Sequence, residues 1–170
     1  MSGAVVWLTG LPSAGKSTIA AALARRLGSE SRPVEVLDGD VVRAELCADL
    51  GYSRADRNEN VRRIGYVAAL LARHGVVAVC PVVSPYRAAR DDVRERVGEG
   101  FVEVYVSTPL EVCAERDVKG LYARQRAGAM TGLTGVDDPY EPPATPDLVL
   151  RPGHGSPAAM AELVIRSIGL

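Results

Sequence analysis

The sequence predicts an α/β fold: a P-loop kinase architecture with a five-stranded parallel sheet and helices on both faces. Two observations carry that reading. Short β-branched runs alternate with helical stretches along the chain, the pattern of an open parallel sheet covered on both sides. The first apolar run, Ala4-Val-Val-Trp-Leu-Thr9, leads directly into Gly10-Leu-Pro-Ser-Ala-Gly15-Lys16-Ser17. That string matches the phosphate-cradling pattern G-x-x-x-x-G-K-[ST] between a strand and a helix.

The elements follow in order. A first strand at about 4–9 opens onto a helix at 16–27. A second strand at 34–38 ends in Asp38-Gly-Asp40, where one carboxylate can cap a helix at 40–48. A longer helix at 56–74 precedes a third strand at 76–82, then Ser84-Pro-Tyr-Arg87 and a helix at 87–97. The fourth strand, 101–106, gives way to Ser107-Thr-Pro109 and a helix at 109–116, and a strand at 147–150 and a helix at 156–168 close the chain. Ligands in such sheets bind beyond the carboxyl ends of the strands, where four of the five carry polar or glycine-rich segments. Residues 118–146 break the alternation, with arginines, glycines and the turn-rich Asp137-Asp-Pro-Tyr-Glu-Pro-Pro143 but no convincing strand. A long connection of that kind is expected to be a mobile lid that excludes water and supplies charge.

Composition narrows the class. A length of 170 residues suits a single domain, 1–170, and no apolar run approaches the roughly 20 residues of a membrane span. No signal or transit peptide is visible, so a cytoplasmic protein is expected. Cys47, Cys80 and Cys113 form neither a disulfide framework nor a zinc pattern and read as buried thiols. A net charge of −1 gives no basic field for duplex nucleic acid, whereas a small anion held by local arginines fits.

The P-loop implies a nucleoside triphosphate, bound by Gly10, Ser13, Ala14, Gly15, Lys16, Ser17 and Thr18. Lys16 reaches the outer phosphates, and Ser17 ligates magnesium. Only Lys16 and Lys119 are lysines among the 20 basic residues, so Lys119 is a second candidate for nucleotide contact. The Asn-Lys-x-Asp motif of a switch GTPase is missing, and the third strand closes as Val79-Cys-Pro-Val82 with no metal-binding Asp. Asp38 and Asp40 take that place: one carboxylate for Mg2+ or its waters, the other to accept a proton from an acceptor hydroxyl. Arg43 and Arg57 are the guanidinium candidates for an anionic acceptor. Together these features read as a small-molecule kinase.

Asp38-Gly-Asp-Val-Val-Arg43, Leu50-Gly-Tyr-Ser-Arg-Ala-Asp-Arg57, Asn60-Val-Arg-Arg-Ile-Gly65, Ser84-Pro-Tyr-Arg87, Thr108-Pro-Leu-Glu-Val-Cys113, Asp117-Val-Lys-Gly-Leu-Tyr122 and Gly135-Val-Asp-Asp-Pro-Tyr-Glu-Pro142 resemble the adenylylsulfate kinase family, over about residues 4–150. The resemblance implies transfer of the ATP γ-phosphoryl to the 3′-hydroxyl of adenosine 5′-phosphosulfate, giving 3′-phosphoadenosine 5′-phosphosulfate for sulfate assimilation by a homodimer. It places Asp40 near the acceptor hydroxyl and Arg43, Arg57 and Asn60 on the acceptor nucleotide. Tyr52 and Leu133 stand where the family usually has two phenylalanines around the acceptor adenine, and Thr131 where a lysine is common. Ser84 matches a serine traditionally labelled a phosphoserine intermediate and so counts among catalytic and substrate-binding candidates. Direct transfer needs only in-line positioning and electrostatics, which makes a binding or N-cap role for Ser84 an alternative. Two other readings stay open: a same-fold kinase for a different nucleotide-like anion, and a nucleotide-binding regulatory subunit without turnover.

Overall fold

The computed structural model describes residues 3–169. Its centre is β1 (Ala4–Thr9), buried along its whole length. Side chains divide by parity, as the two-residue period of a strand requires. Val6 and Leu8 enter one apolar cluster, Val5 and Trp7 the other.

Four further strands, β2 (Val34–Val36), β3 (Val77–Pro81), β4 (Phe101–Val106) and β5 (Leu148–Leu150), join it in the order β2-β3-β1-β4-β5. Every strand pairing is parallel. The chain runs from β1 to the β2 edge and back to β3, then crosses to β4 and β5 on the other side of β1, and a crevice opens at such a switch point. The P-loop sits there. One face is covered by α1 (Lys16–Ser29) and α7 (Pro157–Ser167), burying Leu23, Leu27 and Val164; the other is covered by α3 (Arg54–Arg73) and α4 (Arg87–Val97), burying Val61, Ile64 and Val93. Gly65 permits the close approach of α3 and α4, because a Cβ there would stand 2.5 Å from Val93 Cγ2.

The departures from expectation have local causes. β2 ends at Val36 because Asp38 has turned to cap α2 (Gly39–Leu46). α3 begins two residues early because Ser53 caps it, its hydroxyl accepting from the Asp56 amide at 3.1 Å. Between α5 (Leu110–Arg116) and β5, the segment read as irregular contains the short helix α6 (Leu121–Arg126), whose first amides are accepted by the Asp117 carboxylate at 3.0 and 2.9 Å. All three cysteines are buried and free. Among the described residues no helix is long and apolar enough to cross a membrane.

Candidate active site

The phosphate loop is built between β1 and α1. A Cβ at Gly10 would lie 2.5 Å from the Val106 carbonyl oxygen, so only glycine lets the chain leave β1 there. Gly15 is left-handed at φ 105 and caps α1, turning the unpaired amides of the first helical turn, with exposed Ser17 and Thr18, toward the crevice. Outside residues brace the loop: Thr108 Oγ1 and Arg116 Nη1 donate to the Ala14 carbonyl at 2.7 and 3.3 Å, Tyr122 donates to Pro12 O at 2.9 Å, and the Val118 amide donates to Ser13 Oγ at 3.2 Å. Lys16 Nζ donates to the Gly10 and Leu11 carbonyls at 2.9 and 2.7 Å, and burial lowers its pKa to about 8. These are weaker partners than phosphate oxygens, to which the ammonium can transfer.

Across the crevice, Asp38 has two tasks. Oδ1 accepts the Asp40 amide at 3.0 Å as the cap of α2, while Oδ2 accepts from Ser17 Oγ at 3.1 Å. The two residues expected to hold magnesium therefore face each other with hard oxygen donors, and that donor set fits the ion. Asp40 lies two residues on, in the first turn of α2, largely exposed, and pairs with Lys119 Nζ. Lys119 thus meets the proposed base rather than the phosphate loop.

On the acceptor side, Tyr52 is 71 % exposed, with the Arg43 guanidinium 4.2 Å from its ring centre. Arg43 also donates to the carbonyls of Leu50 and Gly51, fixing that loop. Arg57 donates to Tyr52 O at 2.9 Å, Thr134 Oγ1 at 2.6 Å and Gly132 O at 2.7 Å, and lies 3.1 Å from Asp138. Expected as an anion ligand, Arg57 is here a clamp on residues 132–138. The same turn is held by Asp137, whose carboxylate accepts the Gly132 and Leu133 amides at 2.8 and 2.7 Å and is kept below the usual carboxylate range by them. Asn60 is buried, and its Oδ1 has no partner in the protein. A buried orphan of that kind calls for a ligand or a water.

Two expectations need correction. Leu133 does not offer a face to the crevice opposite Tyr52; it is 3 % exposed and belongs to the apolar cluster that includes Ala14 and Tyr122. Ser84 is 1 % exposed, and its Oγ accepts from Trp7 Nε1 at 3.0 Å and lies 3.1 Å from Thr9 Oγ1. A hydroxyl so enclosed is not placed to carry a phosphoryl group. Nor is it an N-cap, since Tyr86 is the cap residue of α4. The sequence reading missed Arg90 and Glu103, a buried pair at 2.8 Å. The available signal was a lone acid in the otherwise apolar strand Phe101-Val-Glu-Val-Tyr-Val106, because such a charge is buried only with a partner.

Comparison with known proteins agrees with this geometry. The sequence model of one family, described as adenylylsulphate kinase, matches residues 2–151. An adenylyl-sulfate kinase from Synechococcus sp. (strain JA-3-3Ab) is 52 % identical over 98 % of this chain and 94 % of its own length. That from Gloeothece citriformis is 56 % identical over 88 % of this chain and 84 % of its own. Among solved structures, the Mycobacterium tuberculosis APS kinase in complex with AMPPNP and APS superposes with a TM-score of 0.94 at 45 % identity, covering 99 % of both chains. With the phosphate loop, the Ser17–Asp38 pair and the Asp40 turn already in place, these matches lead to one conclusion: the chain belongs to the adenylylsulfate kinase family.

Proposed function

We infer that this chain transfers the γ-phosphoryl of ATP to the 3′-hydroxyl of adenosine 5′-phosphosulfate, forming 3′-phosphoadenosine 5′-phosphosulfate in sulfate assimilation. The observation that carries the reading is the 3.1 Å approach of Asp38 to Ser17, with Asp40 two residues further on in the first turn of α2. It gathers the phosphate loop, two magnesium ligands and a base at one end of the sheet.

Each residue then has a task. The P-loop amides and Lys16 bind and orient the phosphates, and Lys16 balances charge on the group in transfer. Ser17 and Asp38 would hold magnesium, which neutralises phosphate charge when bound. Asp40 accepts the proton of the acceptor 3′-hydroxyl once Lys119 has left it for a phosphate oxygen. The acceptor base lies on Tyr52, with Arg43 and Asn60 beside it and Arg57 holding the adjoining turn. Ser84 stays unmodified, and transfer is direct. Within 118–146 the part that closes is about 127–131, since Val118 and Tyr122 are bound to the P-loop and 132–142 is tied down at both ends.

The protein works as a cytosolic homodimer of single-domain subunits in this reading. The buried free thiols fit a reducing compartment, and a solved relative described as a hexameric APS kinase from Thiobacillus denitrificans supports self-association without favouring the dimer. The test is incubation with ATP, magnesium and a panel of nucleotide-like acceptors, with product identified by mass. Adenosine 5′-phosphosulfate should be the preferred acceptor by a wide margin. Preference for another anion would favour the second reading, a kinase of altered specificity, for which the burial of Leu133 is the motivating observation.

A further inference from the structure

A strand buried in the centre of a parallel sheet is a poor place for a carboxylate, yet Glu103 sits in β4, nearly inaccessible. Its partner Arg90, in the first turns of α4, is 1 % exposed. Arg90 Nε donates to Glu103 Oε1 at 2.8 Å, and its other nitrogens go elsewhere: Nη1 to the Ser84 carbonyl at 2.6 Å and Nη2 to the Glu141 carbonyl at 2.7 Å. One rigid group therefore ties together β4, the loop after β3 and the stretch that follows the Asp137–Asp138 turn. A planar fork can do this, whereas the point charge of a lysine cannot.

The surroundings extend the tie in two directions. Toward the phosphate loop, Ser84 lies on Thr9, the residue before Gly10, and Thr9 Oγ1 is 2.9 Å from the Tyr140 hydroxyl. Toward the helix, the Glu141 amide donates to Pro85 O at 2.8 Å and its carboxylate accepts the Arg87 amide at 2.8 Å. The other end of the same stretch is held by Arg57 through Gly132, Thr134 and Asp138. Residues 132–142 are thus a strap pinned at one end beside Tyr52 and at the other by Arg90. Stability alone does not account for Arg90, because a well-packed apolar pair commonly replaces a buried ion pair without loss. What an apolar pair cannot reproduce is the contact to two carbonyls.

We propose that Arg90 is a positioning residue for phosphoryl transfer. It sets the 132–142 strap against the phosphate loop through the Ser84 and Glu141 carbonyls, and so fixes the side of the acceptor pocket that Arg57 anchors. The kinetic part of this proposal rests on the acceptor reading above; the structural part does not.

The experiment uses the full chain carrying Arg90→Lys, which keeps a charge against Glu103, and separately the double variant Arg90→Met/Glu103→Gln, which removes the pair in balance. Hydrogen–deuterium exchange should accelerate about ten-fold or more for the amides of 132–142, while those of α1 and the P-loop change by less than about two-fold. KM for adenosine 5′-phosphosulfate should rise about ten-fold, with affinity for a non-hydrolysable ATP analogue unchanged. Unchanged exchange in the strap, or acceleration spread evenly over the fold in both variants, would overturn the proposal. A loosened strap with an unaltered acceptor KM would overturn its link to catalysis. If the parent protein does not phosphorylate adenosine 5′-phosphosulfate at all, the acceptor reading fails, and the exchange result alone decides the role of Arg90.

Discussion

Lys119 and Asp40, 79 positions apart in sequence, are joined by an ion pair at the mouth of the phosphate loop. Both side chains are more than half exposed, so the pair itself contributes only about 0–1 kcal/mol. It separates easily when nucleotide phosphates compete for the ammonium. Lys119→Ala should leave thermal stability nearly unchanged, raise KM for ATP several-fold and lower kcat by about ten-fold. Steady-state kinetics alongside a melting curve check this; a variant with parental kinetics would remove Lys119 from the site.

Asp40 should matter to the chemical step and not to nucleotide binding. Asp40→Asn keeps the size and loses the base, so kcat should fall by about 100-fold or more at nearly constant ATP affinity. Calorimetric titration with an ATP analogue separates the two effects. Equal loss of both would make Asp40 a nucleotide ligand instead.

Asp38 offers a cleaner separation than most residues with two tasks. Asn caps a helix about as well as Asp, so Asp38→Asn should preserve α2 while weakening the metal site facing Ser17. The variant should fold normally and need several-fold more magnesium for half-maximal rate. A melting temperature well below that of the parent would mean that the carboxylate is chiefly structural.

Ser84→Ala removes the acceptor of the Trp7 indole N–H, an interaction between buried groups. Leaving that donor unpaired costs about 1–3 kcal/mol, so the melting temperature should drop while the folded enzyme keeps measurable transfer. Inversion of configuration at a chirally labelled γ-phosphorus in the parent is the companion result. Net retention, or a well-folded but inactive Ser84→Ala, would restore a covalent intermediate.

Leu133→Phe tests where that side chain points. Buried as it is beside the phosphate loop, the larger ring should overpack and destabilise by about 1–3 kcal/mol. Acceptor affinity should not improve. Tighter binding of adenosine 5′-phosphosulfate without loss of stability would mean that position 133 does face the base.

The parts of this protein legible in its sequence are those whose cause is local. β1 and the loop after it carry their own signature, since five consecutive apolar residues and two conformationally required glycines sit in one short stretch. The caps of α2 and α7 are likewise written next to the helices they open, in Asp38 and Ser156. α6 was not legible because Gly120 and Gly128 enclose only six helical residues and read as hinges, while the capping carboxylate of Asp117 lies outside the helix. The true setting of Ser84 depends on Trp7, 77 positions away, and most of the expected lid is pinned, through Val118 and Tyr122 on the P-loop and through Arg57 and Arg90 on the strap. Such long-range partners leave no periodicity or motif to read.

The central claim is direct transfer from ATP bound at this P-loop to adenosine 5′-phosphosulfate. The most direct measurement follows γ-labelled ATP with this acceptor, in the parent and in Lys16→Ala. The parent should place the label in 3′-phosphoadenosine 5′-phosphosulfate, and a folded Lys16→Ala should do so about a thousand-fold more slowly. Label appearing only as inorganic phosphate, or transfer that survives intact in Lys16→Ala, would contradict the account.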